Sequence, residues 1–451
     1  KKPITSLIGL YVYTKKNDKI VYFKEDKGDT IMKKIFMPAD ILLPSDKSNM
    51  TLWSVVACDQ YTSDKNYWER VEKTVGENPS TLKITLPEIY LEEKDLPERI
   101  EKVNSTMKTY IENGTFETLK NSYIYTERTL SNGKTRKGLI GIVDLEAYDF
   151  SKDSTSPIRA TEGTVLERIP PRVKIRENAP IELPHIMILI DDPEKTVIEP
   201  IAKTSPEKIY DFDLMENGGH IKGYKISGES DIAAQINLSL DKLCEDDICE
   251  KKYGIKDAAP LPFAMGDGNH SLATAKTCWE KIKNSNPDSP ARYALVEIVN
   301  LHDESLEFEA IHRNVFDIDP KRLFSSMKEY FDCNISSFPF KKQKGRQYFT
   351  YLTKDGDIFV EIINPSHNLA VGSVQKFLDE YLKEEGKIDY IHGEDVVRKN
   401  LSETAVGFLF DTMSKDELFP TVIKDGALPR KTFSMGHAED KRYYLEARKI
   451  K

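Results

Sequence analysis

A strand that runs into two glycines and then into a helix is the strongest chemical signal in this sequence. The predicted strand Pro262–Met265 is followed by Gly266-Asp267-Gly268-Asn269-His270-Ser271. Glycine permits positive φ angles and a close approach of the backbone to a ligand. The first amides of a helix have no partner within it, and the helix dipole favours an anion in front of them. The pattern therefore predicts a phosphate site made by Gly268, Asn269, His270 and Ser271.

Side chains of the same loop suit this chemistry. Asn269 or Ser271 is placed to cap the helix, and His270 to donate to a phosphate oxygen. Asp267 is a candidate to hold Mg²⁺ or to orient the histidine. The loop is not of the Walker type, because it lacks the Gly-Lys-Ser/Thr ending. A glycine turn with a capping asparagine explains the same residues and stays open as the alternative.

Two segments in the middle of the chain carry further candidate ligands. Arg159 and Thr161 follow a predicted turn, and the arginine fork matches phosphate oxygens. The later arginines alternate with glutamates, as on a solvated, salt-bridged edge. Asp191 ends the apolar strand His185–Ile190, where open α/β sheets place ligand and metal groups, so it is a second candidate for Mg²⁺. Asp-Asp-Pro is equally a common way to begin a turn.

An acidic loop early in the chain supplies a candidate base. Asp59 lies between a predicted strand and a predicted helix, in a position to take the proton of an attacking hydroxyl. Cys58 has no basic neighbour in the sequence and is interpreted as structural. The candidate substrate-binding residues are Gln60, Tyr61, Thr62 and His185.

Helices and strands alternate along the chain, which predicts an α/β or α+β fold. Helices are predicted at Tyr67–Val75, Leu96–Asn113, Ile232–Leu243, His270–Lys283, Pro320–Phe331 and Gly372–Glu385. Hairpins are predicted for Leu7–Tyr13 with Ile20–Phe23, Tyr123–Leu130 with Gly138–Leu145, Tyr210–Met215 with His220–Ile226, and Tyr348–Leu352 with Ile358–Ile363. Ala291–Val299 and Leu306–His312 are predicted to be adjacent strands.

The length of 451 residues suits two or three packed lobes rather than one ordinary domain. We expect peripheral strands at 1–30, an N-terminal α/β lobe at 31–150, a catalytic core at 151–315 and a C-terminal α/β lobe at 316–451. The core is expected to carry the phosphate loop.

Composition restricts the classes of partner. The formal charge is 65 − 74 = −9 with both signs interspersed, so no general attraction to nucleic acid or to anionic lipid is expected. The 5 scattered cysteines argue against a disulfide framework and favour a cytoplasmic protein. No apolar run approaches the roughly 20 residues of a membrane span, and the start of the chain lacks a signal-peptide pattern. The oligomeric state, monomer or homodimer, stays open.

Several blocks taken together resemble a known family. They are Phe36–Ala39, Ala57–Thr62, Arg159–Thr164, Leu183–His185, Tyr210–Met215, Gly266–Ser271 and Lys431–Gly436. As a set they are similar to a large bacterial and protist domain family related to free-serine kinases. Among the functionally assigned members, the pattern resembles pyrophosphate-dependent L-serine kinases. The resemblance extends over roughly residues 31–450.

This resemblance implies a mixed-sheet ParB/sulfiredoxin-like core, with an Asp-Gly-(His/Asn)-His-(Arg/Ser) loop that binds the donor phosphates. It also implies Mg²⁺-dependent transfer of phosphate from pyrophosphate to the hydroxyl of free L-serine. Archaeal relatives use ADP and carry Arg where Ser271 stands here, so this chain has one fixed positive charge fewer in the loop.

Two other functions are compatible with the same loop, and a third is excluded by it. One is an ADP- or ATP-dependent kinase that acts on another hydroxyl. Another is a non-catalytic, nucleotide-binding ParB-like module, which the acidic charge and the lack of a helix-turn-helix pattern disfavour. A sulfiredoxin-like redox enzyme needs a cysteine in the phosphate loop, where Asn269 and His270 stand instead, and is set aside.

Overall fold

The computed structural model describes residues 12–15, 18–21, 34–47, 49–429 and 431–451. Contacts divide the chain into two units, residues 1–35 and residues 36–451. In the first unit, Val12–Lys15 (β1) pairs antiparallel with Asp18–Val21 (β2). The hairpin predicted there began at Leu7 and ended at Phe23, and both of those ends lie outside the described residues.

The second unit contains all the helices described and the remaining strands. The helices are α1 (Met50–Trp53), α2 (Lys65–Val75), α3 (Leu96–Glu112), α4 (Ile169–Arg176), α5 (Asp231–Leu243), α6 (Ile248–Tyr253), α7 (Asn269–Ile282), α8 (Pro320–Tyr330), α9 (Ala370–Tyr381), α10 (Glu394–Lys399) and α11 (Lys415–Asp425). The first strands are β3 (Phe36–Met37), β4 (Ala39–Pro44), β5 (Val55–Val56), β6 (Phe116–Thr129), β7 (Thr135–Asp144), β8 (Tyr148–Asp149), β9 (Ile158–Arg159), β10 (Ile181–Glu182), β11 (Met187–Ile190), β12 (Glu207–Asp213) and β13 (His220–Ser227). The later strands are β14 (Phe263–Asp267), β15 (Tyr293–Asn300), β16 (Phe308–Phe316), β17 (Cys333–Ser336), β18 (Gln347–Thr353), β19 (Gly356–Ile362), β20 (Lys387–His392), β21 (Ala405–Phe410), β22 (Phe433–Met435), β23 (Tyr443–Tyr444) and β24 (Arg448–Lys449). All six predicted helices are present, although α9 ends at Tyr381 rather than at Glu385.

One large sheet carries the strand that leads into the predicted phosphate loop. Its order is β12-β13-β6-β7-β15-β11-β14-β9-β8, with β3 on β7 and β4 on β6. The pairs β11/β15, β14/β9 and β8/β9 are parallel, and the others described are antiparallel. The mixture of parallel and antiparallel pairs confirms the α/β class of fold with a mixed sheet. The likeness of the core to ParB and sulfiredoxin stays an expectation from the resemblance.

A second, antiparallel sheet has the order β17-β19-β18-β21-β16-β20, with β22 added on β16. The prediction that β15 and β16 are adjacent was wrong, because β15 belongs to the first sheet and β16 to the second. The turn between them carries the chain from one sheet to the other. The predicted boundary after residue 315 falls inside β16, and the first sheet draws strands from both 31–150 and 151–315. The lobe boundaries themselves stay predictions.

The last residues of the chain return to the first sheet region. Strand β23 pairs with β5, and β24 pairs with β10. Tyr443, Tyr444 and Leu445 are all at most 3% exposed, so this return is part of the core. It brings residues 436–444 beside the acidic loop at Asp59 and beside the end of β14.

Among the described residues, no helix is both long and apolar enough to cross a membrane.

Candidate active site at the start of helix α7

The loop between β14 and α7 is shaped by a close packing contact. Gly268 has a φ of +78°, and a Cβ atom there would lie 3.0 Å from Cα of Ile186. Only glycine combines that left-handed conformation with that lack of space. The chain therefore turns sharply after Asp267 and enters α7 at Asn269.

The start of α7 has free backbone donors. Gly268 occupies the capping position, and no side chain in the described part of the chain caps the helix, so the prediction that Asn269 or Ser271 caps it was wrong. No described residue accepts a hydrogen bond from the backbone amides of Asn269, His270 or Ser271. The side-chain Oδ1 of Asn269 is buried and also lacks a partner among the described residues. An uncapped helix start of this kind is suited to an anion.

These amides open onto a cleft of about 1080 Å³. Its walls come from the loop at Asp59, from the segment around Glu162, from α4 and from the C-terminal return. The polar and charged residues that line it include Asp59, Gln60, Thr62, Glu88, Glu162, Arg168, Arg172, Asp267, His270, Lys431 and Lys441. Both signs of charge therefore face the same space.

Asp59 lies in this cleft and is held from behind by His185. The His185 Nε2 atom is 3.3 Å from Oδ2 of Asp59, and Gln60 donates to Oδ1 at 3.1 Å. Burial alone would raise the pKa of Asp59, but the charge and hydrogen bond of His185 outweigh it and hold that pKa well below its ordinary value. Conversely, burial would lower the pKa of His185, and Asp59 raises it instead. The two form a carboxylate–imidazolium pair.

His185 was predicted to bind substrate, and the structure places it differently. The residue is 5% exposed, and its Nδ1 lies 3.0 Å from the hydroxyl of Tyr444. That hydroxyl donates to Sγ of Cys58 at 2.8 Å, so its oxygen accepts the hydrogen bond from the N–H group at Nδ1. Burial raises the pKa of the Cys58 thiol. His185 thus acts on Asp59 from the interior, and Cys58 is an inert part of the same network.

His270 faces the cleft as a neutral ring. Its Nε2 accepts a hydrogen bond from the amide of Val165 at 3.3 Å. Burial and then the positive charges of Arg172 and Arg168 lower the pKa of His270 to about 4. A neutral imidazole that accepts at Nε2 carries its proton on Nδ1. That nitrogen is the donor it can offer to a phosphate oxygen.

Asp267 is bound on both of its oxygens. Oδ1 accepts the amide of Gly268 at 2.8 Å, and Oδ2 lies 3.2 Å from Nζ of Lys441. Glu162 is close enough that the charge of Asp267 acts on it. Burial raises the pKa of Glu162, and the negative charge of Asp267 adds a smaller increase. Lys431 acts on this pKa in the opposite direction. The cleft thus holds a pair of neighbouring carboxylates with two lysines around them.

Glu88 is a further carboxylate of the cleft. It forms an ion pair with Arg172, and its backbone amide donates to the carbonyl of Cys58 at 2.8 Å. Burial raises the pKa of Glu88, and the nearby charge of Asp59 adds to that effect while Arg172 opposes it. This pair fixes α4 against the acidic loop.

Two residues predicted to bind phosphate are used elsewhere. The guanidinium of Arg159 donates to the carbonyls of Thr155, Ser156, Ala259 and Pro260 at 2.8–3.2 Å, and it does not line the cleft. The prediction for Arg159 is therefore corrected: it ties two loops together. Thr161 lines the cleft, but its hydroxyl donates to the carbonyl of Met265 at 2.7 Å. It supports the end of β14.

Asp191 does not share a site with Asp267. Its carboxylate contacts His302 Nε2 at 2.6 Å, Lys252 Nζ at 2.8 Å and the Tyr253 hydroxyl. Burial opposes these contacts, but together they lower the pKa of Asp191 to about 2. In the antiparallel pair β11/β14, Met187 lies opposite Asp267, so Asp191 is four residues, about 13 Å, farther along its strand. The structure therefore places Asp191, the second candidate for Mg²⁺, outside the cleft that contains Asp267.

The three residues after Asp59 divide between cleft and core. Gln60 and Thr62 line the cleft. Tyr61 has a φ of +51° and stacks on Tyr67, with the ring centroids 3.7 Å apart. Tyr61 is not among the residues that line the cleft, so the structure places this predicted substrate-binding residue against the core.

The donor set suits a magnesium ion that arrives with phosphate. Mg²⁺ in proteins is usually bound through one or two carboxylates, with substrate phosphates and water as the other ligands. Asp267 Oδ2 supplies such an oxygen at the edge of the loop. No group of three or more His, Cys, Asp and Glu side chains arranged for a metal is found in the described part of the chain. The fit is therefore to a shared protein–phosphate site rather than to a closed protein cage.

Sequence reasoning missed Glu88, Tyr444 and Lys441 as contributors to this site. Tyr444 and Lys441 come from the C-terminal return, and no local pattern around them signals chemistry. The block Lys431–Gly436 shortly before them was noticed only for its resemblance. Glu88 lies in a short 3₁₀ helix, Glu88–Tyr90, without a motif of its own.

Comparisons with known proteins give a family and several distant structural neighbours. Free serine kinase in complex with AMP matches at 13% identity, covers 69% of this chain and 90% of that chain, and has a TM-score of 0.37. A mutant of free serine kinase in complex with ADP matches at 11%, covers 70% and 93%, and has a TM-score of 0.38. A conserved hypothetical protein from Pyrococcus furiosus matches at 12%, covers 65% and 89%, and has a TM-score of 0.34. No curated protein matches the chain significantly. The family model for the protein of unknown function DUF1015 matches residues 39–381, and the chain therefore belongs to the DUF1015 family.

Proposed function

We propose that this protein is a phosphotransferase that moves a phosphate from pyrophosphate to the hydroxyl of free L-serine, giving O-phospho-L-serine and phosphate. The observation that carries the proposal is the uncapped start of α7, whose free amides open onto a charged cleft. The choice of pyrophosphate and serine comes from the resemblance of the sequence blocks. Small molecules are its proposed partners.

The donor binds at the loop. The amides of Asn269, His270 and Ser271 bind its phosphate oxygens, and the neutral ring of His270 adds a donor from Nδ1. Hydrogen bonds from backbone amides are fixed in direction before the ligand arrives, so they stabilise developing charge without reorganisation. When bound, Mg²⁺ would offset the negative charge on the leaving phosphate, and Asp267 is the residue to hold it.

The acceptor lies near Asp59. The serine oxygen forms a bond to the phosphorus, the bridging P–O bond of pyrophosphate breaks, and the hydroxyl proton passes to the carboxylate. Asp59 has a lowered pKa and is therefore a weak base. In a loose phosphoryl-transfer transition state the nucleophile is deprotonated late, so the main task of this carboxylate is to orient the hydroxyl. His185 keeps Asp59 ionised for that task.

The direct test is an assay of purified protein with L-serine and Mg²⁺. Pyrophosphate, ADP and ATP are offered separately as donors, and O-phosphoserine is measured by mass spectrometry. Formation of O-phosphoserine from pyrophosphate supports the proposal. A product with ADP or ATP alone corrects the donor, and a panel of other hydroxyl compounds tests the acceptor. If no donor gives a phosphorylated product with any acceptor, the proposal is rejected.

A further inference from the structure

The charged ends of Lys441 and Asp267 neutralise each other across the entrance of the phosphate loop. Lys441 Nζ lies 3.2 Å from Asp267 Oδ2, and the two side chains are only 17% and 21% exposed. Both residues line the cleft onto which the amides of α7 open. A partly buried pair of this kind is screened less by water than a surface pair.

The backbone at both ends of this pair is fixed. The carbonyl of Lys441 accepts a hydrogen bond from Nη1 of Arg128 at 2.5 Å, and its amide donates to the carbonyl of Ala438 at 3.3 Å. Asp267 ends β14, and its Oδ1 is held by the amide of Gly268. A ligand can therefore replace Asp267 as the partner of the Lys441 ammonium, and replace Lys441 as the partner of Oδ2, while the backbone stays in place.

The pair imposes a condition on what can bind. A free polyphosphate that takes Lys441 leaves the carboxylate of Asp267 unpaired beside its own negative charge. A free cation that takes Asp267 likewise leaves the ammonium of Lys441 beside it. A complex of the two provides a new partner for each residue at once. In a partly desolvated cleft, an unpaired charge next to a like charge is costly, so the complex is favoured over either component.

We propose that the cleft takes its phosphate donor as the complex of pyrophosphate with a divalent cation, with Lys441 binding a phosphate oxygen and Asp267 binding the cation. The inference rests on the proposed function and names the form of the donor and the lysine that selects it. Lys441 lies outside residues 39–381, the part of the chain that the family model matches.

Calorimetric titration of the full chain with methylenediphosphonate, a pyrophosphate analogue that is not cleaved, tests this without turnover. We expect the analogue to bind at least about tenfold more tightly with Mg²⁺ than with EDTA. At intermediate dielectric, the repulsion between like charges about 4 Å apart exceeds the free energy of a tenfold change in affinity. Asp267→Asn removes the carboxylate. It should bind the analogue without Mg²⁺ more tightly than the unaltered protein does, and it should lose most of the response to Mg²⁺. Lys441→Met should bind weakly under both conditions.

Lys431→Met is the matched control, because Lys431 lines the same cleft and its charge acts on Glu162. It should weaken binding by a similar factor with and without Mg²⁺, leaving the ratio unchanged. Circular dichroism melts of all three variants establish that they are folded. Equal affinity of the unaltered protein with and without Mg²⁺ overturns this inference and leaves the proposed function standing. If the analogue binds under neither condition, both fail.

Discussion

The Nε2 atom of His185 lies 3.3 Å from Oδ2 of Asp59, with the histidine buried and the carboxylate facing the cleft. The hydroxyl of Tyr444 binds the other ring nitrogen at 3.0 Å. Both hydrogen-bonding positions of the imidazolium are thus used within the protein. The charge of the pair is balanced inside the fold, which keeps Asp59 ionised without a cation in the cleft.

Replacement of His185 by glutamine should destabilise the protein in a pH-dependent manner. The pKa of His185 is raised above 6.5, so its contribution to stability is complete below that value and is lost as the pH rises through the raised pKa. The pKa of Asp59 is lowered below 3.8, so its share is present above that value and is lost only in stronger acid. We expect His185→Gln to cost about 1–3 kcal/mol near pH 6 and much less in alkali, because glutamine keeps a hydrogen-bond donor for Asp59 but lacks the positive charge that histidine carries only below its raised pKa.

Thermal unfolding of both proteins across the pH range measures this difference. Tyr444→Phe is a suitable companion, since it removes one hydrogen bond to His185 and keeps Asp59 and its partner. It should give a smaller loss with the same sign of pH dependence. A loss of stability in His185→Gln that is constant from acid to alkali would show that the pair is not charged.

His270 should act as a neutral donor. Its pKa of about 4 keeps the ring uncharged near neutrality. We expect His270→Ala to lower kcat/KM by roughly 10²–10³, the usual effect of removing one donor to a developing oxyanion, with little change in melting temperature. His270→Gln, which restores a neutral N–H donor, should recover part of the activity. Steady-state assays with pyrophosphate and serine give both values, and near-normal turnover in the alanine variant counts against the site.

Local patterns predicted the loop and its helix, because those features depend on neighbouring residues. Two glycines, a polar run and a periodic apolar face are enough to place β14 and α7. The partners of the loop could not be found in this way. Tyr444 is 259 positions from His185, and Lys441 reaches Asp267 only because the C-terminal return pairs β23 with β5.

The error on Asp191 has a physical cause in strand direction. The rule that ligands lie at the carboxyl ends of strands made Asp191, at the end of β11, an alternative to Asp267 as the magnesium ligand. It brings two such ends to one edge only when the strands are parallel. β11 and β14 are antiparallel, so Asp191 and Asp267 lie at opposite edges. Strand order and direction are set by contacts distant in sequence, which no local pattern contains.

Arg159 should prove to be a stabilising residue and not a phosphate ligand. Arg159 is 5% exposed, and its guanidinium donates to four backbone carbonyls. Arg159→Met leaves those carbonyls without their donor, and we expect a loss of about 2–4 kcal/mol in the free energy of unfolding. The KM for pyrophosphate of the folded fraction should be unchanged. Chemical denaturation and steady-state kinetics on the same preparation separate the two effects, and a raised KM with normal stability would restore the original prediction.

Gly268→Ala should both strain and obstruct the loop, and a second glycine lets the two effects be separated. At Gly268 the φ is +78° and a Cβ would lie 3.0 Å from Cα of Ile186. Gly133 has a φ of +79°, and a Cβ there would have no atom of the described residues within 4 Å. Gly133→Ala therefore carries only the cost of the left-handed conformation, about 1 kcal/mol. Gly268→Ala adds a clash with backbone, and we expect a total loss of roughly 2–4 kcal/mol in the free energy of unfolding. Its affinity for methylenediphosphonate should also fall, because the amides of α7 must shift.

Denaturant unfolding of both variants gives the difference in stability. Equal losses at the two positions would mean that the contact with Ile186 relaxes without cost and does not fix the geometry of the loop.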